Sequence, residues 1–366
     1  MYPVTLGDLL MNVIESEASD LHIVVGCPPI VRRFGELQTL NDRTIGADDA
    51  RDLIASIMSP EQLQALNRAR QIDFACSILG VARFRVHVSF ERDNLTAEFR
   101  AIPYIPPRLE ELMLPPVVGE IAQLNRGLVL VTGPTGAGKS TTLAAIVDRI
   151  NRTRNVRVVT IEEPIEFLHG SQKAIITQRE IGRDTLTYSD AIRATLRQDP
   201  DVILIGEMRD LDSISLALAA AETGHLVLAT LHTLSAPDSV NRIVDVFPHE
   251  QQDQVRIQLA SVLEAVLSQL LVMRADGAGR ACVVEVLLGT SGVRTHIRDN
   301  EVTEILSYMQ GGFAQGMQTF EMHFARLVQE GVVSAETALA KALRPDDMQR
   351  MLGISPLEAR RTATGG

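Results

Sequence analysis

Gly133-Pro-Thr-Gly-Ala-Gly-Lys-Ser140, with Thr141 and Thr142 behind it, leaves this chain few folds to choose from. Gly133, Gly138, Lys139 and Ser140 stand at phosphate-loop spacing. Residues without a Cβ let main-chain N–H groups approach phosphate oxygens that a side chain would hold off. The lysine brings charge to the β- and γ-phosphates, and the serine hydroxyl reaches Mg²⁺. Expected nucleotide contacts are therefore Gly133, Pro134, Thr135, Gly136, Ala137, Gly138, Lys139, Ser140 and Thr141.

The flanks agree with the motif. Residues 127–132 form a short apolar run, the pattern of a fully buried strand. Leu143, Ile146, Val147 and Ile150 then recur at i, i+3, i+4 and i+7, one face of a helix. Strand, glycine loop and helix N-terminus together make an anion site, because unpaired N–H groups and the helix dipole both favour phosphate. A glycine-rich turn that binds nothing requires neither the lysine nor this setting.

At 366 residues the chain has room for two domains, each with its own core. Only 4% of residues are aromatic and none is Trp, so the cores must be built from Leu, Val, Ile and Ala. A net charge of −11 argues against a basic surface for nucleic acid, and no direct nucleic-acid partner is expected. Cys27, Cys76 and Cys282 are isolated and form no CxxC pair, which suggests neither zinc site nor disulfide framework. The first residues lack the basic and apolar regions of a signal peptide. The most apolar late stretch, 259–273, is interrupted by Ser261, Glu264, Ser268 and Gln269. A soluble, cytoplasmic protein is expected.

Residues 1–102 read as a small α/β domain: a helix over 6–14, a strand over 20–25, turns at Pro28-Pro29 and Gly35, and helices over 48–58 and 60–70 with Ser59 as a cap. Phe84, Val86, Val88 and Phe90 alternate with polar residues, as do Leu95, Ala97 and Phe99, which predicts a hairpin. A turn at Asp93-Asn94 would set Val88 opposite Phe99 and His87 opposite Arg100. The polar face would carry Arg83, Arg85 and Arg100. Surface ion pairing is the usual fate of such charges, so a function requires an anion to dock there. Pro103, Pro106, Pro107, Pro115 and Pro116 place an interdomain linker at 103–117. Strands over 128–132, 156–161, 202–205 and 226–231, with helices between several of them, then imply a parallel sheet covered on both faces. Ligands of such sheets sit outside the carboxyl ends of the strands.

Those ends carry the chemistry. The second strand runs into Glu162-Glu163-Pro164-Ile-Glu166, the third into Gly206-Glu207-Met-Arg209-Asp210, and the fourth into His232-Thr233. Phosphoryl transfer to water needs a metal on the phosphates and a group that orients the water. Glu207, with Ser140, is assigned to Mg²⁺, directly or through water, and Glu162 to the attacking water; the two carboxylates could exchange roles. His225 and His232 bracket a strand about 23 Å long and cannot share one phosphate. His232 lies at the catalytic end, where it could meet the γ-phosphate, and His225 is expected to make a structural hydrogen bond at the other.

These residues resemble the secretion ATPases of the type II/type IV pilus superfamily, and specifically its pilus retraction ATPases of PilT type. The resemblance covers nearly the whole chain. Ala18-Ser-Asp-Leu-His-Ile23 is similar to an early signature of the family, Gly133–Ser140 to its Walker A and Thr160-Ile-Glu-Glu-Pro-Ile-Glu-Phe167 to its acidic box. Ile203-Leu-Ile-Gly-Glu-Met-Arg-Asp210 resembles its Walker B, and Thr223-Gly-His-Leu-Val-Leu-Ala-Thr-Leu-His-Thr233 its histidine box. The acidic box departs from the usual Glu-Asp-Pro by Glu163. Gly292-Val-Arg-Thr-His-Ile-Arg-Asp299 keeps Arg294, Ile297 and Arg298 of the retraction motif but carries Thr295 and His296 where the family has Asn and Leu.

The resemblance implies an α/β fold: a PAS-like N-terminal domain (1–102), then a RecA-like P-loop ATPase domain (118–366) whose C-terminal helices begin near 290. It implies ATP and Mg²⁺ as cofactors and a homohexameric ring in which Arg83, Arg85 and Arg100, as a group, reach phosphates bound by the neighbouring subunit. It further implies a pilus retraction motor for twitching motility at the cytoplasmic face of the inner membrane, acting on the membrane-embedded platform protein, with a paralogous accessory ATPase as a further partner. The alternatives are a pilus-assembly or type II secretion ATPase, and a non-hydrolysing accessory ring. Assembly relatives carry extra N-terminal domains and a four-cysteine zinc insertion, which this sequence lacks. In the tail, Gly316-Met-Gln-Thr-Phe-Glu321 leads into a helix with Phe320, Phe324, Leu327 and Val328 on one face. Further helix starts are expected at Ser334 and Pro345, and disorder at 362–366.

Overall fold

The computed structural model describes residues 3–33, 36–78, 81–102 and 105–354. Gly35, Pro103 and the tail at 362–366 lie outside them. The chain divides into two units, Met1–Ile105 with Pro164–Leu168, and Pro106–Glu163 with His169–Gly366. Among the described residues no helix is long and apolar enough to cross a membrane.

The first unit is built on an antiparallel six-stranded sheet of order β3-β2-β1-β6-β5-β4. Its strands are β1 (Asp20–Ile23), β2 (Ile30–Arg33), β3 (Glu36–Thr39), β4 (Gln71–Ile78), β5 (Ala82–Glu91) and β6 (Asn94–Ile102). Helices Leu6–Glu15, Ala47–Ala55 and Pro60–Ala69 accompany it, the last capped by Ser59 as its sequence predicts. Leu21, Ile23, Phe84, Val86, Val88 and Phe99 are fully buried together with Leu10, Val13 and Ile54 of the helices.

The hairpin turn differs from the expected one. Glu91 faces Asn94, so the turn is Arg92-Asp93; Val88 faces Ala97, His87 faces Glu98 and Arg85 faces Arg100. Arg92 and Asp93 both take positive φ, 46° and 64°, which matches a two-residue turn following the strand twist. The displacement is two residues, so every side chain keeps its face.

The second unit contains a seven-stranded sheet of order β13-β12-β7-β11-β10-β8-β9. The strands are β7 (Gly127–Thr132), β8 (Arg157–Glu162), β9 (Ile175–Glu180), β10 (Val202–Ile205), β11 (Leu226–Leu231), β12 (Leu263–Met273) and β13 (Arg280–Leu288). All run parallel except β13, which pairs antiparallel with β12. Apolar side chains leave the strands to both faces, as parallel sheets require. Val129, Val131, Leu204 and Leu228 meet Leu143, Ile146, Val147 and Ile150 of the helix Lys139–Thr153. Leu130, Ile203, Ile205 and Ala229 meet residues of the helices Leu211–Glu222, Ala236–Asp245 and His249–Val262.

Helices Phe320–Gln329, Ala335–Lys341 and Pro345–Leu352 close over the β12–β13 hairpin. Arg344, the N-cap residue of the last helix, enters a pair of buried acids. Its guanidinium bonds to Glu321 and lies 3.4 Å from Glu285, and its N–H donates to Glu321 at 3.0 Å. Both carboxylates are fully buried. The other oxygen of Glu285 accepts the N–H of Ala236 at 2.8 Å, at the start of the helix that follows His232. Burial raises the Glu285 pKa; Ala236 and Arg344 oppose that shift, and the charge of Glu321 adds to it.

Two buried histidines in this unit contribute to its behaviour in acid. Burial pushes both His169 and His323 down to about 4, and His323 Nδ1 accepts the N–H of Val284 at 2.9 Å. An unfolded histidine titrates near 6.5, so between about 6.5 and 4 the unfolded chain binds more protons. Stability is therefore full above that window and lost on descending through it, each group contributing up to about 1.4 kcal/mol per pH unit. Urea unfolding from pH 8 to 4 checks this. A His323→Gln chain, whose amide oxygen can still accept from Val284, shows the shallower acid slope.

Candidate active site

Fully buried β7 delivers the glycine loop to the sheet edge, where the helix Lys139–Thr153 begins. Gly133, Gly136 and Gly138 take positive φ of 140°, 80° and 88°. A Cβ on Gly133 would stand 2.3 Å from the Gln269 carbonyl oxygen, so glycine is obligatory there. Ala137 N–H donates to Pro134 O at 3.1 Å, closing a turn around Thr135 and Gly136. Ser140 and Thr141 lie in the first helical turn. Lys139 is 9% exposed, and its ammonium donates to the carbonyls of Gly133 at 2.8 Å and Pro134 at 3.1 Å, across its own loop. Glycine backbone, helix N-terminus and a buried ammonium in one place fit a polyphosphate.

β12 underpins the loop, which the sequence reading did not anticipate. Thr132 Oγ1 bonds Ser268 Oγ at 2.9 Å, and Gln269 Nε2 donates to Thr142 Oγ1 at 2.8 Å, all four side chains buried. The available signal was two adjacent polar residues inside an apolar run.

Since β7, β11, β10 and β8 are consecutive neighbours, their carboxyl ends share one edge. Gly206 N–H donates to Ile161 O at 2.7 Å and Met208 N–H to Thr230 O at 3.2 Å, stitching the acidic loop to strands on either side. Glu207 Oε2 lies 2.8 Å from Arg209 and Oε1 lies 3.2 Å from His232 Nε2, so two expected site residues meet. Burial would raise the Glu207 pKa, but the hydrogen bond and charge of Arg209, aided by His232, bring it below the ordinary carboxylate value. Arg209 also reaches Glu163 at 3.4 Å. Tyr188 is pushed well up, first by burial and then by Glu163. Glu162 Oε1 accepts from Thr160 Oγ1 at 2.6 Å and from Gln178 Nε2 at 3.2 Å. At the opposite end of β11, His225 Nδ1 lies 2.9 Å from Ala220 O, the structural bond expected of it.

The three arginines are not equivalent. Arg85 and Arg100 face each other across β5 and β6, both exposed, with Arg100 bonded to Asp20 at 2.8 Å. Arg83 is only 6% exposed and donates to Ile165 O at 3.2 Å within the same unit. In the 292–299 stretch, Arg294 donates to the carbonyls of Gly289, Ala260 and Ser261 and pairs with Glu264, while Ile297 is core and Arg298 is exposed.

Among the described residues no group of three or more His, Cys, Asp or Glu could hold a metal ion. A divalent cation at this edge would therefore have to complete its shell with phosphate oxygens and water, which is how Mg²⁺ is ordinarily held.

The family described as "Type II/IV secretion system protein" matches residues 4–346. The type IV pilus retraction ATPase PilT of Pseudomonas aeruginosa is 44% identical over 342 residues, 93% of this chain and 99% of that protein. A twitching motility protein of Neisseria gonorrhoeae is also 44% identical, over 94% of this chain and 91% of its own length. The crystal structure of the pilus retraction motor PilT with bound ADP superposes with a TM-score of 0.89 at 41% identity, over 95% of this chain and 99% of that one. By contrast, the type IV pilus assembly ATPase TfpB of Acinetobacter baylyi matches over only 42% of this chain and 24% of its own.

Proposed function

Because this chain belongs to the type II/IV secretion system protein family, we propose that it is the ATP-hydrolysing motor that retracts a type IV pilus and drives twitching motility. One observation carries this reading: the likeness to retraction ATPases runs through both units, whereas the likeness to an assembly ATPase is confined to a fraction of each chain.

ATP lies with its phosphates on the main chain of 133–138 and on Lys139, whose ammonium exchanges its own loop carbonyls for β- and γ-oxygens. Mg²⁺, held by Ser140 and by Glu207 directly or through water, would supply charge neutralisation along the phosphates. Glu162 polarises the attacking water. His232, in contact with Glu207, reports the γ-phosphate to the metal-side carboxylate. The chain works as a homohexamer in which Arg85 and Arg100 reach a neighbour's phosphates, an in-trans device worth roughly 10³- to 10⁵-fold in turnover. Arg83, engaged with Ile165, holds the later part of the acidic box instead. The ring acts at the cytoplasmic face of the inner membrane on the pilus platform protein, alongside a paralogous accessory ATPase.

Deletion in the source cell tests this. Cells lacking the chain should carry more surface pili that no longer shorten, and should lose twitching. Fewer pili after deletion would make it an assembly motor.

A further inference from the structure

Two side chains outside the phosphate-binding and metal-binding sets converge on Glu162. β8 and β9 pair in parallel with Thr160 level with Gln178, so both can reach the carboxylate at the end of β8. Thr160 Oγ1 and Gln178 Nε2 donate to the same oxygen, Glu162 Oε1, at 2.6 and 3.2 Å. The other end of the Gln178 amide accepts the backbone N–H of His169 at 2.8 Å. An N–H cannot donate to an NH₂ group, so this backbone contact decides which end of the amide faces Glu162. Thr160 is 1% exposed, and its hydroxyl has little room to swing away.

We propose that Thr160 and Gln178 are positioning residues for ATP hydrolysis, holding the Glu162 carboxylate in one orientation. The proposal rests on the reading of Glu162 as the group that polarises water. A glutamate at a strand end has three side-chain torsions, and two donors on one oxygen remove most of that freedom. Both donors also favour the charged form over the protonated one. A proton acceptor must stay ionised at working pH and stay within hydrogen-bond reach of its water. In the step itself, the water oxygen bonds to the γ-phosphorus as the bond to the β,γ-bridging oxygen breaks. One water proton passes to Glu162 and then leaves with inorganic phosphate, while ADP keeps the bridging oxygen.

The rival account is that these bonds merely stitch β9 to β8. The two accounts part on the pH profile of kcat, measured with the full-length protein and Mg-ATP. Gln178→Glu keeps an acceptor for His169 but turns a carboxylate oxygen towards Glu162, so the acid limb should move up by about one pH unit or more. KM for ATP should change by less than about threefold, because the phosphate loop is untouched. Thr160→Val should lower kcat about 10- to 100-fold, the worth of a hydrogen bond to a charged group, and Thr160→Ser should restore most of it. An acid limb in Gln178→Glu that overlays the wild type, or Thr160→Val and Thr160→Ser proteins equally impaired, would overturn the proposal. Glu162→Gln separates the layers. If that variant hydrolyses ATP at the wild-type rate, the role given to Glu162 fails first and the proposal falls with it.

Discussion

A Glu162→Gln protein will bind ATP nearly as tightly as the wild type and hydrolyse it about 10²- to 10⁴-fold more slowly. Binding survives because the glycine cradle and Lys139 belong to another strand and loop. Hydrolysis does not, since an amide can orient a water but cannot take its proton. Glu207→Gln should act differently. There the oxygens that meet Arg209 and His232 belong to the group assigned to the metal, so half-maximal turnover should need more Mg²⁺. Fluorescent-nucleotide titration and phosphate release, each against Mg²⁺ concentration, read both effects. A raised Mg²⁺ requirement in Glu162→Gln but not in Glu207→Gln would mean that the two carboxylates have exchanged roles.

The second large effect lies far along the chain. Arg344→Ala leaves Glu285 and Glu321 fully buried without their shared guanidinium, and removing one partner of such a group costs about 3–5 kcal/mol. The loss should depend on pH with a definite sign. The folded-state pKa of Glu285 is already raised, first by burial, and losing Arg344 raises it further. A carboxyl whose folded pKa exceeds its unfolded value is destabilising above that window, and less so as pH falls into it. The deficit of Arg344→Ala should therefore be largest near pH 8 and shrink towards pH 5, measured by urea unfolding. An Arg344→Met, Glu321→Gln double variant should recover part of it, since only one buried carboxylate then remains. An Arg344→Ala protein with the wild-type urea midpoint at pH 8 would show that solvent, not the guanidinium, balances these acids.

Much of the candidate site at the sheet edge was legible because its signals are local. β7, β10 and β11 are runs buried at every position, and within two residues of their ends stand Gly133, Glu207 and His232, the residues assigned to the site. The caps at Ser59 and Ser334 are equally local. What the sequence hid depends on partners distant along the chain. Strand β12 carries Ser268 and Gln269, which break its apolar pattern; Thr132 and Thr142, more than a hundred residues earlier, hydrogen-bond the Ser268 hydroxyl and the Gln269 amide nitrogen. Strand β9 borders the sheet and is mostly half-buried, so Ile175-Ile-Thr-Gln-Arg-Glu180 shows no clean periodicity. The hairpin register was missed by two residues because alternation has a period of two and cannot distinguish such a slip. Thr160 lies within the acidic box, but nothing along the chain ties it to Gln178.

The strand order also bears on how the protein is made. β7, which presents the phosphate loop, lies between β11 and β12, and β12 is among the last strands to leave the ribosome. Until residues 263–273 emerge, one margin of β7 has no ladder partner, and Thr132 and Thr142 lack the side chains that later satisfy them. At roughly 5–20 residues per second, the interval between β7 and β12 lasts several seconds, a period of exposed strand edge during which nascent chains are vulnerable to aggregation. Stalled nascent chains ending before β12 should therefore fail to retain nucleotide and should engage holdase chaperones, although every glycine of the loop has already been synthesised.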